Sequence, residues 1–277
     1  MVIQHNIAAI NSYRNLSINQ SALSKNLEKL SSGYKINRAG DDAAGLAISE
    51  TMRSQINGLN QAVNNANDAV GLIQTAEGAL TETHSMLQRM KTLTTQAANG
   101  TYTKTARDNI QAEINALNKE IGRIATTTEF NGEKPLSPTA VVGKTANLTF
   151  FIGASADKAN AMTVAQQDMT QTALKINTIS VKTTTLAFAA MKSVDAAIET
   201  VSSYRATLGA AQNRLEHTVN NLKVTSENIT SAESRIRDTD MADEITAYTK
   251  NNILLQAAQS MLSQSNAMPQ GVLSMLQ

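Results

Sequence analysis

Residues 194–236 read VDAAIETVSSYRATLGAAQNRLEHTVNNLKVTSENITSAESRI. Every seventh residue of this stretch is aliphatic, in the series Val194, Val201, Leu208, Leu215, Leu222, Ile229 and Ile236. The positions three residues further on are mostly small, as at Ala197 and Ala211. Seven residues make about two turns of an α-helix, so these side chains form one stripe that can pack on a partner helix. The alternation of large and small residues predicts a long helix over 185–234 that approaches its partner closely.

A second stripe runs through residues 43–98. Its apolar residues follow steps of four and three: Met52, Ile56, Leu59, Val63, Ala66, Val70 and Ile73, continued at Leu80 and Leu87. Asp41 and Asp42 are candidate N-caps, and Asn99-Gly100 is a typical C-terminal stop. Two long stripes of this kind predict a mainly α protein, built as a long antiparallel coiled-coil-like helical rod.

The middle of the chain contains a third helical pattern followed by a stretch without helical periodicity. Residues 104–127 continue the helical pattern, with aliphatic side chains at Ile110, Ile114, Leu117, Ile121 and Ile124. Residues 128–184 then hold turn residues and short apolar runs; 129–132 (EFNG) indicate a turn, and 148–153 (LTFFIG) are the best strand candidate. We therefore predict a third helix followed by a small β-hairpin region.

Both ends of the chain are apolar on one helical face. We expect a helix over residues 3–34, and a second over 244–266 that Pro269-Gln270-Gly271 interrupts. These two helices can cover only each other, which leaves apolar surface for other copies of the chain. The predicted contacts between copies are Ile7, Ile10, Leu16, Leu23, Leu27 and Leu30, against Ile245, Leu255, Leu262, Val272, Leu273 and Leu276. Periodicity alone favours the alternative, a closed helical bundle in which these residues are ordinary core.

Composition excludes several classes of function. The net charge is +1 with cations spread evenly, so neither a nucleic-acid site nor a membrane-binding patch is expected. There is no cysteine, and His5, His84 and His217 are far apart with no zinc-binding HExxH pair. No phosphate-binding loop or nucleophile motif appears, so we predict no catalytic residue, no metal site and no cofactor. Neither a secretory signal peptide nor a membrane span is recognisable.

Four longer motifs carry a resemblance to a known family. They are KLSSGYKINRAGDDAAGLAISE at 29–50, AAQNRLEHTVNNL at 210–222, SAESRIRDTDMA at 231–242 and QGVLSMLQ at 270–277. In this order they resemble the conserved ends of bacterial flagellin, and the similarity covers roughly 1–133 and 185–277. The resemblance reverses the preference for a closed bundle and implies a structural subunit, not an enzyme, that polymerises into the flagellar filament.

The resemblance also divides the chain into five segments. Residues 1–42 and 235–277 would be the N- and C-terminal filament-core segments, disordered in the free monomer and helical in the filament. Residues 43–127 and 185–234 would be the helices of a shaft domain, and 128–184 a short β/loop insert. Since many members carry large outer domains in the middle, this short form implies a thin, smooth filament.

Partners and location follow from the same resemblance. The expected partners are further copies of the chain, an export chaperone, the filament cap and the hook–filament junction proteins. The expected location is the extracellular filament, reached without a cleaved signal peptide. Two alternatives remain: the hook–filament junction protein itself, which has similar ends, and an intracellular coiled-coil binding module.

One segment resembles a receptor-binding surface of related flagellins. Residues 87–99, LQRMKTLTTQAAN, are similar to the stretch recognised by Toll-like receptor 5, a vertebrate innate immune receptor. The residues placed at the receptor by this resemblance are Leu87, Gln88, Arg89, Leu93, Gln96 and Glu113. The segment departs from many recognised members at Lys91-Thr92 and Thr94-Thr95. An ordinary contact between subunits is the alternative.

Overall fold

The computed structural model describes residues 6–137 and 147–275, with the side chains of Gln270 and residues 272–275 left out. Five α-helices lie within these residues: α1 (Ile7–Ser32), α2 (Ala43–Ala98), α3 (Lys104–Thr127), α4 (Thr184–Arg237) and α5 (Met241–Met275). Two strands, β1 (Asn147–Phe151) and β2 (Ala161–Ala165), lie between α3 and α4. The prediction of a mainly α protein with a small β-hairpin in the middle is confirmed.

The described residues fall into two compact units. The first unit comprises the described parts of 1–54 and 227–277, and the second comprises those of 55–226. The first unit therefore holds α1, α5 and the nearby ends of α2 and α4. The second holds the remainder of α2 and α4 together with α3 and the sheet. The predicted division into five segments remains a prediction.

Local signals in the sequence set the ends of α2. Asp42 Oδ1 accepts a hydrogen bond from the Gly45 amide at 2.9 Å, which satisfies one of the free N–H groups of the first turn. At the other end, Arg107 of α3 donates from Nε to the Ala97 carbonyl at 3.0 Å. It also donates to the Asn99 carbonyl at 3.1 Å, so the guanidinium caps the C-terminus of α2. The predicted bounds of α2 and α3 are both confirmed.

Helices α2 and α4 pack antiparallel in the second unit. Lys91 Nζ lies 2.7 Å from Asp195 Oδ1 near one end, and Ser226 Oγ donates to Asn60 Oδ1 at 3.2 Å near the other. The α4 series is buried as predicted from Val194 to Leu222. Ile229 and Ile236, which follow it, are only half-buried.

The buried seam of α2 differs in one respect from the prediction. Val63 and Val70 are half-buried, while the fully packed positions follow Leu59 at steps of three and four. These positions are Ala62, Ala66, Ala69, Ile73, Ala76, Leu80, Thr83, Leu87 and Met90. Alanine occupies the close-contact positions because α4 already supplies a large side chain at each level, and the space between the helices is limited.

Two amide side chains on α3 hold the segment that returns to α4. Gln111 Oε1 accepts from the Val181 amide at 2.7 Å, and its Nε2 donates to the Ile179 carbonyl at 3.0 Å. Seven residues further along α3, Asn118 Nδ2 donates to the Ile176 carbonyl at 2.7 Å. A backbone with no secondary structure is thereby buried with its polar groups paired, as a protein interior requires.

The β-hairpin region has a defined register. Strands β1 and β2 are antiparallel, with Leu148 opposite Val164 and Phe150 opposite Met162. Met162 and Val164 are buried against the helical core. The predicted turn before the hairpin is also present: Phe130 and Glu133 form a bridge, and Asn131 and Gly132 have φ of 52° and 80°. Asparagine and glycine tolerate this left-handed backbone, as an Asn-Gly turn requires.

The α4 seam can be tested by truncating one of its leucines. Leu208 is 1% exposed, so Leu208→Ala should lower the free energy of unfolding by about 2–5 kcal/mol through lost burial and a residual cavity. Leu186→Ala on the same helix is the control, since Leu186 is 44% exposed and should cost less than about 1 kcal/mol. Denaturant unfolding followed by circular dichroism measures both. Equal losses would contradict the assigned seam.

Candidate assembly surface

The two terminal helices pair antiparallel along the whole length of α1. At one end of the pair, Asn6 Nδ2 donates to the Ser265 carbonyl at 2.8 Å. At the other, Lys29 Nζ lies 3.7 Å from Glu244 Oε2, and Tyr34 forms a backbone bridge with Asp238. A single register therefore holds from the start of α1 to its end.

Leucine layers alternate with polar layers in this pair. Leu16, Leu23 and Leu30 of α1 are half-buried, as are Leu255 and Leu262 of α5. Between them lies Asn26, only 9% exposed. With the amide oriented so that both of its ends are paired, Nδ2 donates to Glu244 Oε1 at 2.9 Å and Oδ1 accepts from Asn251 Nδ2 at 2.9 Å. Buried polar groups of this kind fix register at some cost in stability.

The remaining predicted residues on the described surface point away from the pair. Ile7, Ile10, Leu27 and Ile245 are 67%, 54%, 47% and 51% exposed. Other large apolar side chains join them: Tyr13, Ile18, Met241, Ile253, Leu254, Met261 and Met268. We call this set of exposed side chains the outer apolar face. The closed-bundle alternative is therefore not what this chain forms by itself, because these residues are not core. Of the other predicted contacts, Val272 and Leu273 have side chains outside the described residues, and Leu276 lies wholly outside them.

The expected interruption of the C-terminal helix at Pro269 is wrong. Helix α5 continues through Pro269 to Met275. Proline lacks the N–H that would bond to the carbonyl four residues earlier, at Ser265. Asn6 of α1 supplies the missing donor through Nδ2, while its Oδ1 caps α1 by accepting from the Ala9 amide at 3.0 Å. Because a side chain from the neighbouring helix replaces the lost bond, the local rule for proline does not hold here.

Arg237 joins the two connecting stretches at the end of the pair. Its guanidinium lies 4.7 Å from the centroid of the Tyr34 ring, and its Nη1 donates to Glu50 Oε1 at 2.7 Å. The hydrogen bond from Arg237 is the main reason that the pKa of the Glu50 carboxyl lies below its ordinary value. The Lys35 amide also donates to the Arg237 carbonyl at 2.7 Å. No sequence pattern pointed to Arg237 in particular. It lies within the motif at 231–242, at the junction of two helices.

The predicted receptor segment is split between surface and core. Arg89, Gln88, Gln96 and Glu113 are exposed, whereas Leu87 and Leu93 are 0% and 2% exposed and belong to the helical core. Leu93 therefore does not share the exposed surface of Arg89, because the seam of α2 takes Leu93 inward. Arg89 Nε donates to Glu113 Oε1 at 2.8 Å, so the exposed residues of α2 and α3 meet.

Two further findings concern metal clusters and membrane-spanning helices. Within residues 6–137 and 147–275, no three histidine or acidic side chains come close enough together to hold a metal ion. None of the described helices has a stretch both long and apolar enough to traverse a bilayer. The features that remain are paired helices with polar layers and an outer apolar face, which define a helical structural protein.

Comparisons with known proteins place this class of molecule in a family. Residues 3–140 match the bacterial flagellin N-terminal helical region, and residues 191–276 match the bacterial flagellin C-terminal helical region. Flagellin of Bacillus subtilis (strain 168) is 52% identical over 303 residues, with all of both chains covered. A flagellin of Treponema pallidum (strain Nichols) is 45% identical over 287 residues, again with full coverage.

Solved structures agree with this assignment. The crystal structure of Bacillus cereus flagellin has a TM-score of 0.51 and 32% identity, covering 61% of this chain and 94% of that one. A protein from Vibrio parahaemolyticus described as flagellar hook-associated has a TM-score of 0.59, but at 13% identity it shares the fold alone. The chain belongs to the bacterial flagellin family. It is a structural subunit of the flagellar filament, which lies outside the cell.

The link between Asn6 and Pro269 can be tested with a double-mutant cycle. Asn6→Asp keeps the oxygen that caps α1 and removes the donor to the Ser265 carbonyl. We expect it to destabilise the α1–α5 pair by about 1–3 kcal/mol, seen as faster hydrogen exchange of α5 amides in assembled filaments, where the terminal helices are folded. In a Pro269→Ala background the loss should shrink, since the new N–H can pair with the Ser265 carbonyl.

Asn11→Asp is the matched control for this cycle, because Asn11 lies exposed on α1 and the same charge is introduced. Its effect on exchange should be small in both backgrounds. An equal effect of Asn6→Asp with and without Pro269 would show that the two residues are not coupled.

Proposed function

We propose that this chain polymerises through its terminal helices, with the outer apolar face of each copy buried by its neighbours. The observation that supports this most directly is that α1 and α5 are already paired with each other and still leave their large apolar residues exposed. Burial of one aliphatic side chain contributes about 1.5–3 kcal/mol, so leaving this many in water is costly. Exposed apolar surface on this scale is typical of an interaction site.

The polar layers between α1 and α5 support the same proposal. A pair of helices with only leucines in its seam would be stable by itself. Here Asn26 and Ser265 are polar residues buried in the seam, which weaken the pair and fix its register. Isolated helices of this length are marginal in water. The ends of the free monomer are therefore disordered, and they fold as neighbouring copies cover the outer apolar face. A contact between two different surfaces that does not close into a ring gives an open helix of subunits.

The wider setting follows from this mode of assembly. Before export the outer apolar face needs a cover, which is the role we assign to an export chaperone. At the two ends of the polymer we place the filament cap and the hook–filament junction proteins. The subunit acts outside the cell and does so without catalysing a reaction. Full-length identity to flagellins favours the filament subunit over the junction protein.

Assembly can be tested on the outer apolar face. Ile10→Ser with Ile253→Ser removes two exposed aliphatic side chains, one from each terminal helix, and should raise the concentration needed for seeded polymerisation by at least about tenfold. Ile10→Val with Ile253→Val is the matched control and should polymerise nearly as the wild type does. Electron microscopy and sedimentation measure the outcome. Normal filaments from the serine variant would exclude the outer apolar face as the interface.

A second function has its own support in the second unit. Arg89, Gln88 and Gln96 on α2 and Glu113 on α3 form one exposed polar surface, and arginine is often an energetic centre of interfaces. We propose that Toll-like receptor 5 recognises the monomer through this surface. Leu87 and Leu93 would support it from the core without touching the receptor.

Binding to the purified receptor ectodomain tests this second function. Arg89→Ala should weaken binding by about tenfold or more, since it removes both the cation and its pair with Glu113. Arg214→Ala is the control, because Arg214 is an exposed arginine on α4. Surface plasmon resonance with monomeric protein gives both affinities. No detectable binding of the wild type would remove the proposal.

A further inference from the structure

A cleft on the second unit has the character of a binding site. It has a volume of about 490 Å³ and lies between α2, the turn at 130–133 and strand β1. Phe130, Phe150 and Phe151 line it. Asn65 on its wall donates from Nδ2 to the Phe151 carbonyl at 3.0 Å, which fixes the end of β1 against α2. The cleft is thus held by a helix, a turn and a strand that are tied together.

Acidic side chains line part of the cleft. Asp68 and Glu133 both line it. Asp68 forms no hydrogen bond or ion pair with any other residue that the structure describes. Aromatic faces beside a carboxylate favour a group with an apolar body and a cationic end, through cation–π attraction and charge pairing. The occupant that fits is therefore aromatic or aliphatic and carries an ammonium or guanidinium.

A patch with the complementary character lies on α4. Phe188 is 62% exposed, the highest exposure of any large apolar side chain of the second unit. Lys192 follows one turn later on the same face and is also exposed, with no hydrogen bond or ion pair among the described residues. Phe188 and Lys192 together are called the Phe188 patch.

The Phe188 patch is too far from the cleft to reach it within one chain. Asp195 pairs with Lys91, so Phe188, seven residues earlier on the antiparallel helix, is level with about residue 98 of α2. The cleft is centred near residue 68 of α2. Thirty residues of helix at about 1.5 Å each give a separation of roughly 45 Å. Only a second copy, displaced along the helices by this distance, can bring the two surfaces together.

We propose that the Phe188 patch of one copy docks into the phenylalanine-lined cleft of the next. The contact rests on the proposed function, because it requires copies that are arrayed by their terminal helices. The two surfaces differ, so each copy can receive one neighbour and enter another, and the series does not close. The Phe188 ring enters the apolar part of the cleft, and Lys192 lies against the Asp68 carboxylate.

Cross-linking within filaments tests this contact. Because the chain has no native cysteine, only the introduced cysteines can react. Thr149 is exposed and lines the cleft, and Thr185 is exposed on α4 one turn before Phe188. A chain with Thr149→Cys and Thr185→Cys, assembled and treated with a short bismaleimide, should give a ladder of covalent multimers on a denaturing gel. The control carries Thr149→Cys with Ser203→Cys, an exposed position on α4 about 27 Å from Thr185 and roughly 22 Å along the helices from the cleft.

The outcomes separate this contact from the assembly it depends on. A ladder from the Thr149–Thr185 variant, with none from the control, supports the contact. Filaments without that ladder, or equal ladders from both variants, overturn the contact and leave polymerisation intact. Failure of the wild type to form filaments overturns both proposals.

An energetic measurement completes the test. Phe188→Ser should raise the critical concentration for polymerisation roughly tenfold, as expected for loss of an interface anchor, while Phe188→Leu should recover most of it. Phe188 is exposed in the single chain, so neither change should alter monomer unfolding. An unchanged critical concentration for Phe188→Ser would contradict the contact.

Discussion

Aliphatic side chains that recur every seven residues along α4 pack against a matching series along α2, and the rest of the second unit is built on that contact. Because alanine fills most of the alternate positions on α2, the large side chains of α4 have room to be buried between the helices. The helices owe their stability to this packing more than to intrinsic propensity. Helix α3 and the hairpin pack against this pair of helices in one buried cluster. The side-chain amides of Gln111 and Asn118 form hydrogen bonds with the backbone of the irregular segment beside them.

The seam between the terminal helices α1 and α5 has a different proportion of apolar and polar residues. Its seam also repeats every seven residues, but asparagine, serine and charged residues replace half of the apolar layers. Such a seam specifies which residues face each other and contributes little surplus stability. The apolar residues that a self-sufficient pair would bury are placed outward. A structural subunit of a polymer benefits from this arrangement, since the free energy of its ends is gained between copies and not within one.

The long periodic elements were predictable from sequence because their signals are local and repeated many times. The bounds of α2 and α3 followed from an N-cap at Asp42, a stop at Asn99-Gly100 and the spacing of the isoleucines. The errors arose where contacts between segments distant in sequence overrode a local rule. Pro269 does not end α5, because Asn6 supplies the missing donor from another helix. Leu93 looked available to a receptor, but the exact line of the α2 seam takes it into the core.

The amino-acid sequence by itself determined the helical class, the antiparallel pairing of long stripes, the middle hairpin and the family, since each depends on periodicity or on extended motifs. Only the tertiary structure decided which face of each terminal helix is turned outward, how Arg237 joins Tyr34 and Glu50, and where a phenylalanine-lined cleft forms. The physical reason is that periodicity fixes which residues share a stripe. The choice between one stripe and its neighbour depends on contacts between segments that are hundreds of residues apart in the chain.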